Sequence, residues 1–270
     1  MPTVSKKQVG IEARRKTTSG RFYEIEPGNP YPSITNILGV INKPALVGWA
    51  GKVERIACIE AAIRLHSDWE NLTESTIDAY RSTLESYIGK QKAAQKELEA
   101  AAAIGTEAHA RCEWLVRSAL NLPVGPEPKV SEKALWASMA FEDWWKKVNF
   151  KPIRSEQVVF SRIHKFAGTL DILGYVDGLL TIVDIKTGKA IYSEAYLQIA
   201  AYWRALQETT QDYAARGIVL RLPKIDTDPE FEAVPVDDLE MHLLAFLHAA
   251  ELWRWQYAQD QAYKAKMETA

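Results

Sequence analysis

Apolar and polar positions change period along the chain, and the changes predict the elements. Ile153–Ser161, Gly168–Val176 and Leu179–Ile185 read as three short strands rich in Val, Ile and Leu. Upstream the pattern is helical. Pro32-Ser33-Ile34-Thr35 opens a helix with Ser33 as N-cap, Lys43-Pro44 breaks it, and Pro44 starts the next helix, to about His66. A helical stretch from about Thr76 to Leu120 follows, interrupted at Gly89 and Gly105. Its middle, Lys92–Ala103, is built from strong helix formers. Leu122–Pro128 carries three prolines and a glycine and is a loop, and Ser131 caps another helix. After the strands come a helix at about Ser193–Glu208, a strand at Gly217–Leu222, a further strand at Phe231–Val236 and a last helix from Asp237 or Asp238 to about Tyr263. The order predicts an α/β protein with a small mixed sheet flanked by helices.

The hairpin in that sheet carries the candidate chemistry. Asp177-Gly178 is a two-residue turn signal, because both residue types tolerate the positive φ that such turns need. If they form the loop, Val176 pairs with Leu179 and Asp171 falls directly opposite Asp184. Directly opposed Cβ atoms lie ~4.5–5.5 Å apart, where bare like charges repel. A cation between the two carboxylates turns repulsion into binding. Lys186 is two residues past Asp184 and therefore points from the same face. Two acids and a lysine on one face are the working parts of a metal-dependent phosphodiesterase. His109 and Glu113 stand four apart on a predicted helix and share a face, as do Gln198 and Tyr202.

Composition narrows the class. The chain has 270 residues, 47% hydrophobic and 25% charged, which suits one large globular domain or one domain with an elaboration. Its formal net charge is -2, so any nucleic-acid contact must come from a local patch. Cys58 and Cys112 cannot build a four-cysteine zinc or iron–sulfur site, and they suit a reducing compartment. No apolar run is long enough to span a bilayer and no signal-peptide pattern appears, so a cytoplasmic protein is expected. No Walker A pattern occurs, which excludes a helicase motor of that type. Residues 1–30 read as a basic tail or short strand, with Lys6, Lys7, Arg14, Arg15 and Lys16. That tail is either a solvated terminus or a DNA-touching arm. Residues 31–92 read as a helical subregion and 93–270 as the core with its C-terminal helix, the two forming one compact unit. Of the nine tryptophans, Trp144, Trp145, Trp253 and Trp255 suit core packing, and Trp49 near Lys43 and Lys52 suits an exposed stacking platform.

These residues resemble a known family. Gly168-Thr-Leu-Asp171, Asp184-Ile-Lys186 and Gln198-Ile-Ala-Ala-Tyr202 resemble motifs of the PD-(D/E)XK nucleases, in their RecB-like branch. Gly105-Thr-Glu-Ala-His109-Ala-Arg-Cys-Glu113 resembles the G-x-x-x-H-x-x-x-E motif of that branch. Tyr31-Pro-Ser-Ile-Thr-Asn-Ile-Leu38, with Lys43-Pro44 and Trp49, is similar to the start of phage-type and mitochondrial genome-maintenance exonucleases. The resemblance implies a restriction-endonuclease-like core and a Mg2+- or Mn2+-dependent deoxyribonuclease. An exonuclease acting in phage or bacterial recombination, repair or DNA processing is favoured. It implies metal ligation by His109, Asp171, Asp184 and the carbonyl of Ile185, with Lys186 orienting or deprotonating the attacking water. Gln198 and Tyr202 would lie along the substrate path or hold the lysine. Glu113 is either a supporting group or an ion-pair partner of Arg117, and Glu156 is a candidate supporting or ligating acid. The N-terminal helices would guide a strand toward the metals. DNA, single-stranded or with free ends, is the implied partner, together with a recombination or single-strand-binding protein. The cysteines of iron–sulfur relatives are absent. A non-catalytic DNA-binding scaffold, or an endonuclease acting on RNA or branched DNA, remains the alternative.

Overall fold

The computed structural model describes residues 14–17, 20–68, 77–225 and 230–268. Of the basic tail or short strand expected over residues 1–30, residues 1–13, 18 and 19 lie outside the described residues. The chain forms two compact units. One comprises residues 1–41 and 107–270, and the other residues 42–106. The second unit holds α2 (Pro44–Asp68), α3 (Ile77–Ile88) and the first half of α4 (Ala93–Ala119). Within it, the Tyr87 hydroxyl donates to Asp68 at 2.8 Å, and Glu54 accepts the Ala94 amide at 3.1 Å. Helix α4 runs unbroken through Gly105, where an interruption was expected.

The first unit contains two sheets. β1 (Arg14–Thr17), β2 (Gly20–Glu26) and β3 (Asn29–Pro32) form a small antiparallel sheet in that order. α1 (Ile34–Leu38) follows at once, and its N-cap Ser33 accepts the Asn36 amide at 3.0 Å, as the sequence predicts. The larger sheet has the order β4 (Phe150–Ser161), β5 (Phe166–Val176), β6 (Leu179–Lys186), β7 (Arg216–Arg221), β8 (Glu232–Val236). Every neighbouring pair is antiparallel except β6 and β7. A parallel pair needs a long crossover, and α6 (Ser193–Thr210) supplies it. The mixed sheet and its helices are the α/β core the sequence predicts. Asp177 and Gly178 have φ of 52° and 84°, so the β5–β6 hairpin turns with two left-handed residues, the type I′ geometry that Asp-Gly signals.

The main core lies between this sheet and α6, α1 and α7 (Leu239–Glu268). Phe166, Leu170, Leu173 and Ile182 pack there with Leu206 and Phe246, all fully buried. α5 (Glu132–Lys147) adds a second apolar contact, with the Trp144 ring 4.9 Å from that of Phe150. Trp144 is buried as expected, but Trp255, also expected in the core, is 61% exposed. Trp49 is half-buried. Among the described residues no helix is long and apolar enough to cross a membrane.

Gly217 on β7 shows how tightly α6 sits on the sheet. A Cβ built there would stand 2.1 Å from Ile199 Cγ2, and Ile199 is itself fully buried. Gly217→Ala should therefore destabilise the protein by about 1–3 kcal/mol through overpacking. Urea denaturation of wild type and variant measures this. An unchanged midpoint would show that α6 can move away from the sheet at no cost.

Candidate active site

Strands β5 and β6 part company at the site. Their ladder runs from Val176↔Leu179 to Ile172↔Val183 and stops there. The register would place Asp171 beside Asp184 next, as the sequence predicts, but no backbone pair forms. Instead the Asp171 carboxylate accepts the amide of Ile185 at 2.8 Å, so a side chain takes over where the sheet opens. On the other side of β5, Ser155↔Ile172 and Gln157↔Leu170 bracket Glu156 and place it abreast of Asp171. Glu156 has a φ of 50°, a left-handed conformation that costs a non-glycine residue roughly 1–2 kcal/mol. It breaks the alternation of β4, and the Glu156 carboxylate sits within reach of its neighbours. One ligand atom each of His109, Glu156 and Asp171 lies within 4.8 Å of the others. His109 Nδ1 is 3.6 Å from the Asp171 carboxylate.

Asp184 belongs to an adjoining group. It is fully buried, and neither carboxylate oxygen has a hydrogen-bond donor of good geometry. Its charge is met by the Lys186 ammonium, with which it forms an ion pair. Lys186 donates to Gln198 Oε1 at 3.2 Å, and Gln198 Nε2 donates to the Tyr202 hydroxyl at 2.9 Å. The Tyr202 ring lies close against β5 because Gly168 has no side chain, and a Cβ there would meet Tyr202 Cε1 at 2.6 Å. Burial pushes the Asp184 carboxyl up to about 6; Lys186 opposes the shift and Asp171 adds to it. Burial alone would lower the Lys186 ammonium, but the charges of Asp184 and Asp171 more than offset it and hold it above the ordinary lysine range. Burial and the same two carboxylates keep the Tyr202 phenol well above its ordinary value.

The residues singled out in the sequence thus fall into two touching clusters. His109, Glu156 and Asp171 converge, while Asp184, Lys186, Gln198 and Tyr202 form a chain. The Asp171 carboxylate is bonded to the Ile185 amide, next in the chain to Asp184, while the Asp184 carboxylate pairs with Lys186. Glu113 lines the same small cleft as His109 and Ile185, yet its carboxylate pairs with Arg117 at 3.1 Å. Ser155 went unnoticed in the sequence; it lines the cleft with a buried hydroxyl that finds no partner. Tyr23 was missed as well. Its hydroxyl meets Thr169 Oγ1 at 3.0 Å, two residues before Asp171. Neither residue stands in a spacing that signals chemistry. The donor set of carboxylates and one imidazole, with the buried Asp184 carboxylate beside it, fits a hard divalent cation.

Sequence comparison matches residues 78–267 to the PD-(D/E)XK nuclease superfamily. No curated protein matches the chain. Among solved structures, an alkaline exonuclease from Laribacter hongkongensis aligns over 57% of this chain and 84% of its own, at 13% identity and a TM-score of 0.32. The protein SSO0001 aligns over 83% of this chain and 82% of its own, also at 13% identity and a TM-score of 0.32.

The raised Asp184 carboxyl makes stability depend on pH. The folded protein holds this proton more tightly than the unfolded chain, so metal-free stability falls as pH rises from about 4 to about 6. Asp184→Asn should remove that slope and leave the metal-free variant more stable than wild type at pH 7, by on the order of 2–3 kcal/mol. Denaturant titrations in EDTA at pH 4.5 and 7 test this. A variant less stable than wild type at pH 7 would show that the Lys186 ion pair outweighs the burial of the carboxylate.

Proposed function

The chain belongs to the PD-(D/E)XK nuclease superfamily, and we propose that it is a divalent-metal-dependent deoxyribonuclease that digests DNA from strand ends. The observation that carries this reading is the row of carboxylates on three adjacent strands, Glu156, Asp171 and Asp184, with Lys186 fixed beside it. His109, Glu156, Asp171 and Asp184, with the carbonyl of Ile185, are the groups proposed to hold Mg2+ or Mn2+. When bound, the cation supplies positive charge beside the scissile phosphate and makes a nearby water more acidic.

The protein's own residues do the rest. Lys186 is a charged donor rather than a base in the metal-free protein, since its neighbours hold its proton. It orients the attacking water and offsets negative charge as it develops on the phosphate. Asp184 and Gln198 aim the ammonium, and Tyr202 aims Gln198. Asp171 has one oxygen engaged with the Ile185 amide, which fixes the carboxylate plane in the opening between the strands. His109 extends the donor set from α4, and Glu113, held by Arg117, supports the wall of the cleft.

Membership of the RecB-like branch is supported by the His109 and Glu113 spacing on α4 and by the Gln198 and Tyr202 spacing on α6. The preference for strand ends is supported by the likeness of Tyr31–Leu38 to the start of phage-type and mitochondrial genome-maintenance exonucleases. A phage or bacterial role in recombination or repair follows by the same analogy.

The assay that tests the reading is digestion of end-labelled linear DNA and of a covalently closed circle of the same strand type, with Mg2+, Mn2+ or EDTA. Linear DNA should be degraded with either metal and spared in EDTA, and the closed circle should survive. Asp171→Asn should lower turnover by orders of magnitude. Full activity in EDTA or in that variant would overturn the metal mechanism, and rapid linearisation of the circle would overturn the end preference.

His109→Ala should impair cleavage more in Mg2+ than in Mn2+. Losing any donor loosens a site already weak for Mg2+, whereas Mn2+ binds nitrogen and oxygen donors more tightly and recovers occupancy. Rate against metal concentration, for wild type and variant, is the measurement. Coincident curves with both metals would make His109 a packing residue.

A further inference from the structure

We infer that the loops leaving the C-terminal ends of β6 and β7 seat an unpaired stretch of DNA beside the site, with the Tyr192 ring stacked on a base and Lys189, Lys133 and Lys224 on the phosphates. The inference rests on the proposed nuclease function and adds the strand form of its substrate. β6 and β7 are the parallel pair of the larger sheet, and ligands of parallel strands bind outside the carboxyl ends. Lys186 ends β6 opposite Arg221, which ends β7, and the Leu222 amide donates to the Lys186 carbonyl at 2.7 Å. The two segments therefore leave the sheet side by side, one into residues 187–192 and the other through Pro223 to Lys224.

The first of these loops turns its groups to solvent. Gly188, Lys189 and Ala190 are exposed, and Tyr192 is 55% exposed at the start of α6. The same helix carries Gln198, which accepts from Lys186, so the ring stands on the element that positions the lysine. Six residues of helix separate the two, about 9 Å along its axis, short enough for one strand to reach both. The Tyr192 side chain makes no cap hydrogen bond to α6, so the helix does not require it.

Lys224 and Lys133 sit where a lysine is costly. Lys224 is half-buried, and burial and the charge of Lys133 hold its ammonium below the ordinary lysine range. Lys133 occupies the first turn of α5, against the helix dipole. A phosphate beside two such ammonium groups offsets the burial, the repulsion and the dipole together. Two acids at this end of the sheet are engaged elsewhere: Glu232 accepts from Arg221 at 3.0 Å, and the charge of Glu194 bears on Lys186. Stacking on Tyr192 needs an open base face, which a single strand offers and the interior of a duplex does not.

Binding in EDTA, where a metal-dependent enzyme cannot cut, tests the seat. Fluorescence anisotropy of a labelled oligothymidylate, and of a blunt duplex of equal length, measures affinity against salt. The single strand should bind more tightly than the duplex. Tyr192→Leu should weaken single-strand binding roughly tenfold, and Tyr192→Phe should restore it. Tyr213, 72% exposed just before β7, lies at the other end of that strand, and Tyr213→Leu should change nothing. Lys189→Ala and Lys224→Ala should each lower the salt slope by about 0.7. Wild-type affinity in Tyr192→Leu, an equal loss in Tyr213→Leu, unchanged salt slopes, or a preference for duplex overturns the seat. The same proteins are then given linear DNA with Mg2+ or Mn2+. Cutting by a protein whose binding ignores Tyr192 removes the seat and leaves the nuclease. Binding that depends on Tyr192, with no cutting, leaves the seat and removes the nuclease.

Discussion

The hydrogen bond from the Ile185 amide to the Asp171 carboxylate governs this site. A buried amide that loses its ladder partner must find another acceptor, or it costs free energy on the scale of a whole hydrogen bond. Where β5 and β6 diverge, Asp171 meets that need. The consequence is geometric. The carboxylate is held in the opening between two strands, with one oxygen engaged, and cannot rotate away without orphaning the amide.

Electrostatics divides the labour between the two clusters. His109, Glu156 and Asp171 are half-buried, so water can solvate them before a cation arrives. Asp184 has no such access, and the Lys186 ammonium pairs with it. A carboxylate buried on these terms makes a poor contribution to folding and a good one to cation binding, because it has few competing donors to give up. Lys186 in turn is drawn into place by the same charge, and the amide of Gln198 and the phenol of Tyr202 continue the chain into the core.

Much of this was legible in the sequence because it depends on short-range rules. The Asp177-Gly178 turn fixes a two-residue loop, the loop fixes register, and register aligns Asp171 with Asp184. Ser33 caps its helix for equally local reasons. The failures share a different cause. Two prolines in Asn29–Pro32 argue against a strand, and β3 is tolerated because it is an edge, which needs a partner to define it. The bridge from Ser33 to Ala167 joins segments more than a hundred residues apart, and no local pattern encodes it. Gly105 reads as a break, but a helix of 27 residues absorbs the ~1 kcal/mol that one glycine costs. Nothing in a glutamate announces the left-handed backbone of Glu156, since the residues that favour it are Gly and Asn.

That backbone conformation sets two selective pressures against each other. Glycine at position 156 would relax the left-handed backbone within β4 and remove the carboxylate in one step. Any lineage that drifted toward a more stable fold at this position would lose an acid from the site, and any lineage that keeps the acid carries the strain as a standing cost. On the proposed function, selection for what its side chain does holds the glutamate there against that strain. A chain of this fold with glycine or asparagine in its place would mark a protein in which that selection has been lifted.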